Sequence, residues 1–271
     1  MNSETGLTEY DTEDGFHVLR VHYTADPAKR SEEWKKREQQ GTTAADWEQE
    51  MEINFNVPKG RPWYPEFRYD FHVAKEHIRP VPGRPVVRGW DYGLTPATVF
   101  CQTTAKGQTL VLWPELQSWE SGVLAHGRVV VAESATYLPG HQFIDYGDPA
   151  GNQRAQTDEK TCVQVLREEF SIIVNSGPVS FAQRDTPIRK ALTTITADGQ
   201  PMLLIDPRCT WLIAALTGGY QRKEVGGRAT DVLADNEYTH IVDALGYVVS
   251  MVGQASEPAK MKPIPGGGSM W

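Results

Sequence analysis

VVRGWDYG, residues 86–93, sets an aspartate into a run that otherwise reads as a buried strand, and the fold turns on what compensates it. Strands disfavour Asp, and a carboxylate taken out of water needs a partner or a cation. Side chains alternate along a strand, so Val87, Gly89, Asp91 and Gly93 share one face. Such small neighbours leave space around the carboxylate for an ion or a substrate. The competing reading makes Asp91 a turn residue at a strand end, ahead of Gly93.

Outward from this run, residues 97–104 and 108–115 are rich in Val, Phe, Leu and Trp, with the turn signal Ala105-Lys106-Gly107 between them. Three consecutive antiparallel strands are expected. A helix over 118–133, a fourth strand over 141–146, a helix over 157–170 and a fifth strand over 171–174 should follow. Then come a helix over 186–196, a short strand MLLID at 202–206, a helix over 209–216 and a final helix over 238–252. Three antiparallel strands followed by strand and helix alternation predict an α/β domain. Its mixed five-stranded sheet, flanked by helices, has the layout of the RNase H-like fold.

Upstream the character changes. Residues 1–84 are rich in charge and aromatics and punctuated by Pro58, Pro62, Pro65, Pro80 and Pro82, which predicts a separate N-terminal appendage and linker. Within it, FHVLRVHY at 16–23 alternates like a strand, whereas 31–40 and 42–54 read as helices opened by Ser or Thr caps. KGRPWYPEF, 59–67, reads as an extended linker, because each proline blocks regular hydrogen bonding. The folded domain is expected over 85–255, and 256–271, ending in PGGGSMW, has the composition of a flexible tail.

Composition excludes several classes. With 39% hydrophobic residues, 23% charged residues and eight Trp in 271, the chain should fold around a real core. No apolar stretch is long enough to span a membrane, and the polar, acidic first thirty residues lack the apolar centre of a secretory signal, so a cytoplasmic location is expected. Cys101, Cys162 and Cys209 are odd in number and widely spaced, as reduced thiols are. A formal net charge of −8 argues against a protein that coats DNA unaided, but not against an enzyme that gathers carboxylates around cations. Arg184, Arg189 and Lys190, or Arg222, Lys223 and Arg228, are local basic clusters that either touch a phosphate backbone or simply face solvent.

Two further acids complete a candidate site. In HQFIDYGDPAGNQ, 141–153, a strand runs into a Gly, Asp, Pro turn, and Asp148 stands where a strand end can present it. Asp145 is its rival, although a place inside the strand can turn it to the other face; Asp before Pro is also a common turn starter. THIVDALGYVV, 239–249, reads as a buried helix with Asp243 as its polar exception. His240 lies three residues earlier and shares a face with Asp243, for one ligand or for a plain His–Asp hydrogen bond. Acids on the first strand, after the fourth strand and on the last helix would converge, as a pair of hard cations requires.

The strings RGWDYGLTPATVFCQ, DYGDPAGNQRAQTDEK, IDPRCTWLIAALTGGYQ and HIVDALGY resemble, in this order, the nuclease part of phage terminase large subunits. Upstream, WEQEMEINFNVPKGRPWYPEF is similar to the end of their motor domain and the linker that follows, and the resemblance covers 18–252. It implies a metal-dependent endonuclease that cuts concatemeric double-stranded viral DNA in the host cytoplasm. The partners implied are an ATPase motor domain, a small terminase subunit and a portal. Asp91, Asp148 and Asp243 match metal-binding acids for Mg²⁺ or Mn²⁺, and His240 matches a histidine that some members carry beside the last acid. GGYQRKEVGG, 218–227, falls where members have a hairpin that can touch DNA. No GxxxxGK[ST] phosphate loop occurs, so the motor is not in this sequence.

The mechanism expected is two-metal hydrolysis, with catalytic roles for Asp91, Asp148, Asp243 and His240. Two other readings stay open: a Holliday-junction resolvase of RuvC type, which would prefer four-way junctions, and a non-catalytic packaging-assembly module, which would ignore metal.

Overall fold

The computed structural model describes residues 6–11, 17–40, 47, 51–53, 61–154, 160–226 and 228–255. The expected tail 256–271 lies outside the described residues, as does most of the expected helix 42–54. In chain order the elements begin with strands β1 (Leu7–Asp11) and β2 (His17–Val21) and helices α1 (Glu32–Glu38) and α2 (Tyr69–His72). Next come β3 (Val86–Asp91), β4 (Ala97–Thr103), β5 (Thr109–Gln117), helix α3 (Val123–Tyr137) and β6 (Phe143–Gly147). Helix α4 (Cys162–Phe170), β7 (Val174–Ser176), helix α5 (Phe181–Thr193), β8 (Leu203–Ile205) and helix α6 (Thr210–Ala214) follow. The series ends with β9 (Arg222–Val225), β10 (Arg228–Leu233) and helix α7 (Thr239–Ala255).

Two compact units divide the chain, one of Met1–Pro65 with Ala214–Asn236, the other of Glu66–Ile213 with Glu237–Trp271. In the first, β1 and β2 pair antiparallel, and so do β9 and β10, which form a hairpin inside 218–227 and beyond. Lys35 Nζ and Trp47 Nε1 donate to Glu52 at 2.7 and 3.1 Å, and Tyr23 stacks on Trp34.

The second unit is built on a mixed sheet in the order β7-β6-β3-β4-β5-β8. β3, β4 and β5 run antiparallel to their neighbours in turn, while β6, β7 and β8 each join a neighbour in parallel. The five strands expected become six because the short strand at 203–205 pairs with β5 at the sheet edge. β3 is buried on both faces, which explains why VVRGWD reads as continuous rather than alternating. On one face Val86, Trp90, Phe100 and Leu112 pack with Val130 of α3 and Leu166 of α4. On the other face α7 lies along β3 and β4, and α5 packs against α7.

Helix ends follow their caps rather than the apolar pattern. The helix expected over 118–133 starts only at Val123, since the Ser118 and Ser121 N–H groups donate instead to the carbonyls of Pro96 and Leu94. The helix expected over 186–196 begins earlier, at Phe181, where the Ser180 hydroxyl accepts from the Gln183 N–H, and it carries Pro187 inside it. No helix among the described residues is long and apolar enough to cross a membrane.

Candidate active site

The site is set by how closely α7 approaches β3. A Cβ built on Gly89 would overlap the carbonyl oxygen of Ala244 and crowd the Val248 side chain, so only glycine lets the helix backbone lie this close. Two residues on, Asp91 closes the strand on the same face, and there the Nδ1–H of His240 donates to its Oδ2 at 2.8 Å. One helical turn links His240 to Asp243, so both side chains of α7 reach this end of the sheet.

Asp148 arrives from the neighbouring strand. β6 runs parallel to β3 with Gly147 opposite Trp90, and the Asp148 N–H donates to the Trp90 carbonyl at 3.1 Å. Its Oδ1 accepts from the Ala150 N–H at 2.9 Å and caps the 3-10 turn Pro149–Asn152. Asp91 and Asp148 thus stand at the carboxyl ends of the adjacent strands β3 and β6, with His240 of α7 bonded to Asp91 and Asp243 one turn further along the same helix.

Burial and mutual charge dominate the electrostatics. Burial pushes the Asp91 carboxyl above its usual range, against the opposing pull of the His240 hydrogen bond and the Arg184 charge, while the negative Asp148 adds to the rise. Asp243 is raised to about 6, first by burial and further by Asp91 and Asp148, with Arg184 opposing. The Arg184 Nη2 stands 3.5 Å from Asp243 Oδ1, and its guanidinium lies over the Tyr247 ring at 4.9 Å. Burial also drives the phenols of Tyr92 and Tyr247 up, so both remain protonated. Tyr92 packs over Gly147 and Gly151, where any Cβ would strike its ring, and its buried hydroxyl has no hydrogen-bond partner among the described residues.

Asp145 faces the other way. Arg88, directly opposite it in β3, donates from Nε and Nη2 at 2.7 and 2.9 Å to its two oxygens, and Trp90 Nε1 adds a bond of 2.6 Å. This is a buried, fully engaged carboxylate on the face covered by α3, whose Ser134 hydroxyl also receives Arg88 Nη1 at 3.2 Å.

Arg184, Tyr92 and Tyr247 were not singled out for the site by sequence reasoning. Arg184 belonged to a basic cluster, but its companion Arg189 pairs with Glu66 and Asp185. Only the packing of α5 on α7 selects it. Arg222, Lys223 and Arg228 fall on β9 and β10.

Among the described residues, no three His, Cys, Asp or Glu side chains surround one point as a ready metal site. His240 and Arg184 each engage one acid, and Asp148 turns an oxygen toward its own turn. The donor set itself, three carboxylates of which Asp148 acts to raise both Asp91 and Asp243, is of the oxygen chemistry that hard cations take.

No protein-family model and no curated protein matches this sequence. Solved structures do. The large terminase from a thermophilic bacteriophage superposes with a TM-score of 0.55 at 17% identity, over 83% of this chain and 52% of that one. In its complex with ADP the same protein gives a TM-score of 0.55 at 16% identity, over 84% and 54%. The P22 large terminase nuclease domain gives 0.52 at 12% identity, over 72% of this chain and 93% of its own. This chain thus spans about half the length of the thermophilic phage protein and nearly the whole of the P22 nuclease domain. Its fold is the RNase H-like α/β fold of the phage large-terminase nuclease domain.

Proposed function

We propose that this chain is the metal-dependent endodeoxyribonuclease of a large-terminase system, cutting concatemeric double-stranded viral DNA during genome packaging. The observation that carries the reading is the placing of Asp91 and Asp148 at the carboxyl ends of adjacent parallel strands, with His240, one turn before Asp243 on α7, bonded to Asp91 at 2.8 Å. The likeness of fold to a terminase nuclease domain supports it.

Asp91, Asp148 and Asp243 are the residues that would hold Mg²⁺ or Mn²⁺. A bound pair of such ions supplies a nucleophilic water at neutral pH and stabilises the departing oxygen of a phosphodiester. Asp91 must be ionised for this despite its burial, and the His240 hydrogen bond favours that form. To take part, the Asp148 side chain would have to turn from the Ala150 N–H, which would leave its backbone bond to Trp90 in place. Arg184, beside Asp243, opposes the burial that raises that acid, and a bound cation would favour the same ionised form.

The remaining roles are assigned by the same reading. Residues 1–84 are the end of a motor domain and its linker, 85–255 the nuclease domain and 256–271 a tail. The ATPase, small subunit and portal are partners supplied from outside this sequence, which has no phosphate-loop motif. Incubating supercoiled plasmid with the purified protein and Mn²⁺ tests the proposal. Conversion to nicked and linear forms by the natural protein, and none by Asp91→Asn, is expected; plasmid that stays intact over a wide range of protein concentration overturns it.

A further inference from the structure

An aromatic ladder stands at the same end of the sheet as the acids. Trp119 meets Trp211 edge to face at a centroid distance of 5.6 Å, and Trp211 stacks on Tyr238 at 4.5 Å. Its position follows from the strand register. Asp91 pairs with Ala97 and Ala97 with Gln117, which puts Gln117 two strand spacings, about 10 Å, from the acid, and Trp119 follows two residues beyond that strand end. At the other end of the ladder, Tyr238 precedes by two residues the histidine that touches Asp91.

The mounting is rigid. The N–H groups of Ser118 and Ser121, on either side of Trp119, donate to the carbonyls of Pro96 and Leu94, both at 2.9 Å, in the loop that leaves Asp91. Gln117 Nε2 donates to the Glu237 carbonyl at 2.9 Å, which ties the same strand end to the start of α7. Glu120 is held at a φ of 45°, a left-handed conformation that a side chain adopts only under constraint. Nevertheless Trp119 leaves 54% of its surface in solvent, and Leu94 beside it 79%. A large aromatic ring fixed from behind and left open in front has paid its ordering cost before a ligand arrives.

We propose that Trp119, backed by Trp211 and Tyr238, is a stacking platform for an unpaired base of the nucleic-acid strand lying across the acids. The choice of a nucleic-acid strand as ligand rests on the nuclease reading, which plasmid cutting tests separately. Every base presents a π-face, so such a platform grips a strand without reading its sequence. The nearest charges in sequence, Glu120 and Glu237, are acidic and cannot hold phosphates. The contribution of the ladder therefore comes from stacking and should be nearly independent of salt, unlike contacts that release counterions.

The test is fluorescence anisotropy in EDTA, where no cutting occurs, with end-labelled oligothymidylate of about 12 nucleotides and an abasic strand of equal length. The natural protein should bind oligothymidylate more tightly than the abasic strand. Trp119→Ala should raise Kd for oligothymidylate about 5- to 100-fold, erase that preference and leave the salt slope unchanged. Trp119→Phe, which keeps a stacking ring, should stay within about threefold of the natural protein. Equal affinity of the natural protein for the two strands, or unchanged binding by Trp119→Ala, overturns the proposal and returns the exposed ring to a protein partner. Plasmid cutting with Mn²⁺ is scored separately, so loss of the platform and loss of the nuclease reading are distinguishable.

Discussion

His240 on α7 donates a hydrogen bond of 2.8 Å to Asp91 at the end of β3, joining the last described helix to an inner strand of the sheet. The bond fixes the orientation of a carboxylate whose burial disfavours its charge.

Replacing His240 by Ala should accordingly weaken cation use more than folding. Partners that orient a ligating group typically contribute 10- to 100-fold to metal affinity or activity. Plasmid cutting by His240→Ala is expected to need roughly 10- to 100-fold more Mn²⁺ for half-maximal rate, with a melting temperature near that of the natural protein. A variant that cuts normally at unchanged Mn²⁺ would remove His240 from the site.

Asp145 and Asp148 should part company when each is replaced. Asp145 sits in a bidentate bond with Arg88 on the covered face, and leaving either partner alone in a buried site costs about 3–5 kcal/mol. Arg88→Ala and Asp145→Ala are thus expected to lower the midpoint of urea unfolding markedly, whereas Asp148→Asn should abolish cutting at nearly unchanged stability. The paired change Arg88→Met with Asp145→Leu should cost less than either single change, because no charge is left uncompensated.

Gly89→Ala probes the spacing on which the site depends. The added methyl would overlap the Ala244 carbonyl, so α7 must shift outward and carry His240 and Asp243 away from Asp91. Overpacking of this kind costs about 1–3 kcal/mol. Cutting should fall further than that loss of stability explains, measured below the melting transition, because displacements of about 1 Å at reacting groups cost on the order of 100-fold.

The three candidate acids stood out in the sequence because each breaks a local rule: an Asp inside an apolar strand, an Asp–Pro after one, an Asp on an otherwise apolar helix. The choice between Asp145 and Asp148 was not, since it depends on which face of β6 meets Arg88, a fact of register between strands more than fifty residues apart. Arg184 was hidden for the same reason: nothing local distinguishes it from Arg189 until α5 is laid against α7. Most strands of the sheet were read closely, but β7, expected over 171–174, lies at Val174–Ser176, and β1 was not expected; helix starts were missed because loop carbonyls, as those of Pro96 and Leu94 before α3, decide where a helix can begin.

Asp243 gives the pH test of the site. Its carboxyl ordinarily titrates at 3.8 and is raised to about 6 here, chiefly by burial, with the charges of Asp91 and Asp148 adding to it. Between those values the native protein holds a proton that the unfolded chain has released, so stability falls as pH rises through that window and is flat beyond it. Two pKa units correspond to a loss on the order of 2–3 kcal/mol. Asp243→Asn cannot titrate, and its lost contact with Arg184 is an offset that does not vary over this range, because Arg184 stays charged. In chelator, unfolding free energies of the natural protein and Asp243→Asn should therefore diverge in favour of Asn from pH 4 to pH 6 and then run parallel. Adding Mn²⁺ above that window should reverse the order, since a cation binds the ionised acid and stabilises the natural protein by about 3 kcal/mol at a hundredfold excess over its Kd. Curves that stay parallel throughout would mean that the Asp243 carboxyl is not raised, and a Mn²⁺ effect equal in both proteins would mean that it takes no part in holding the cation.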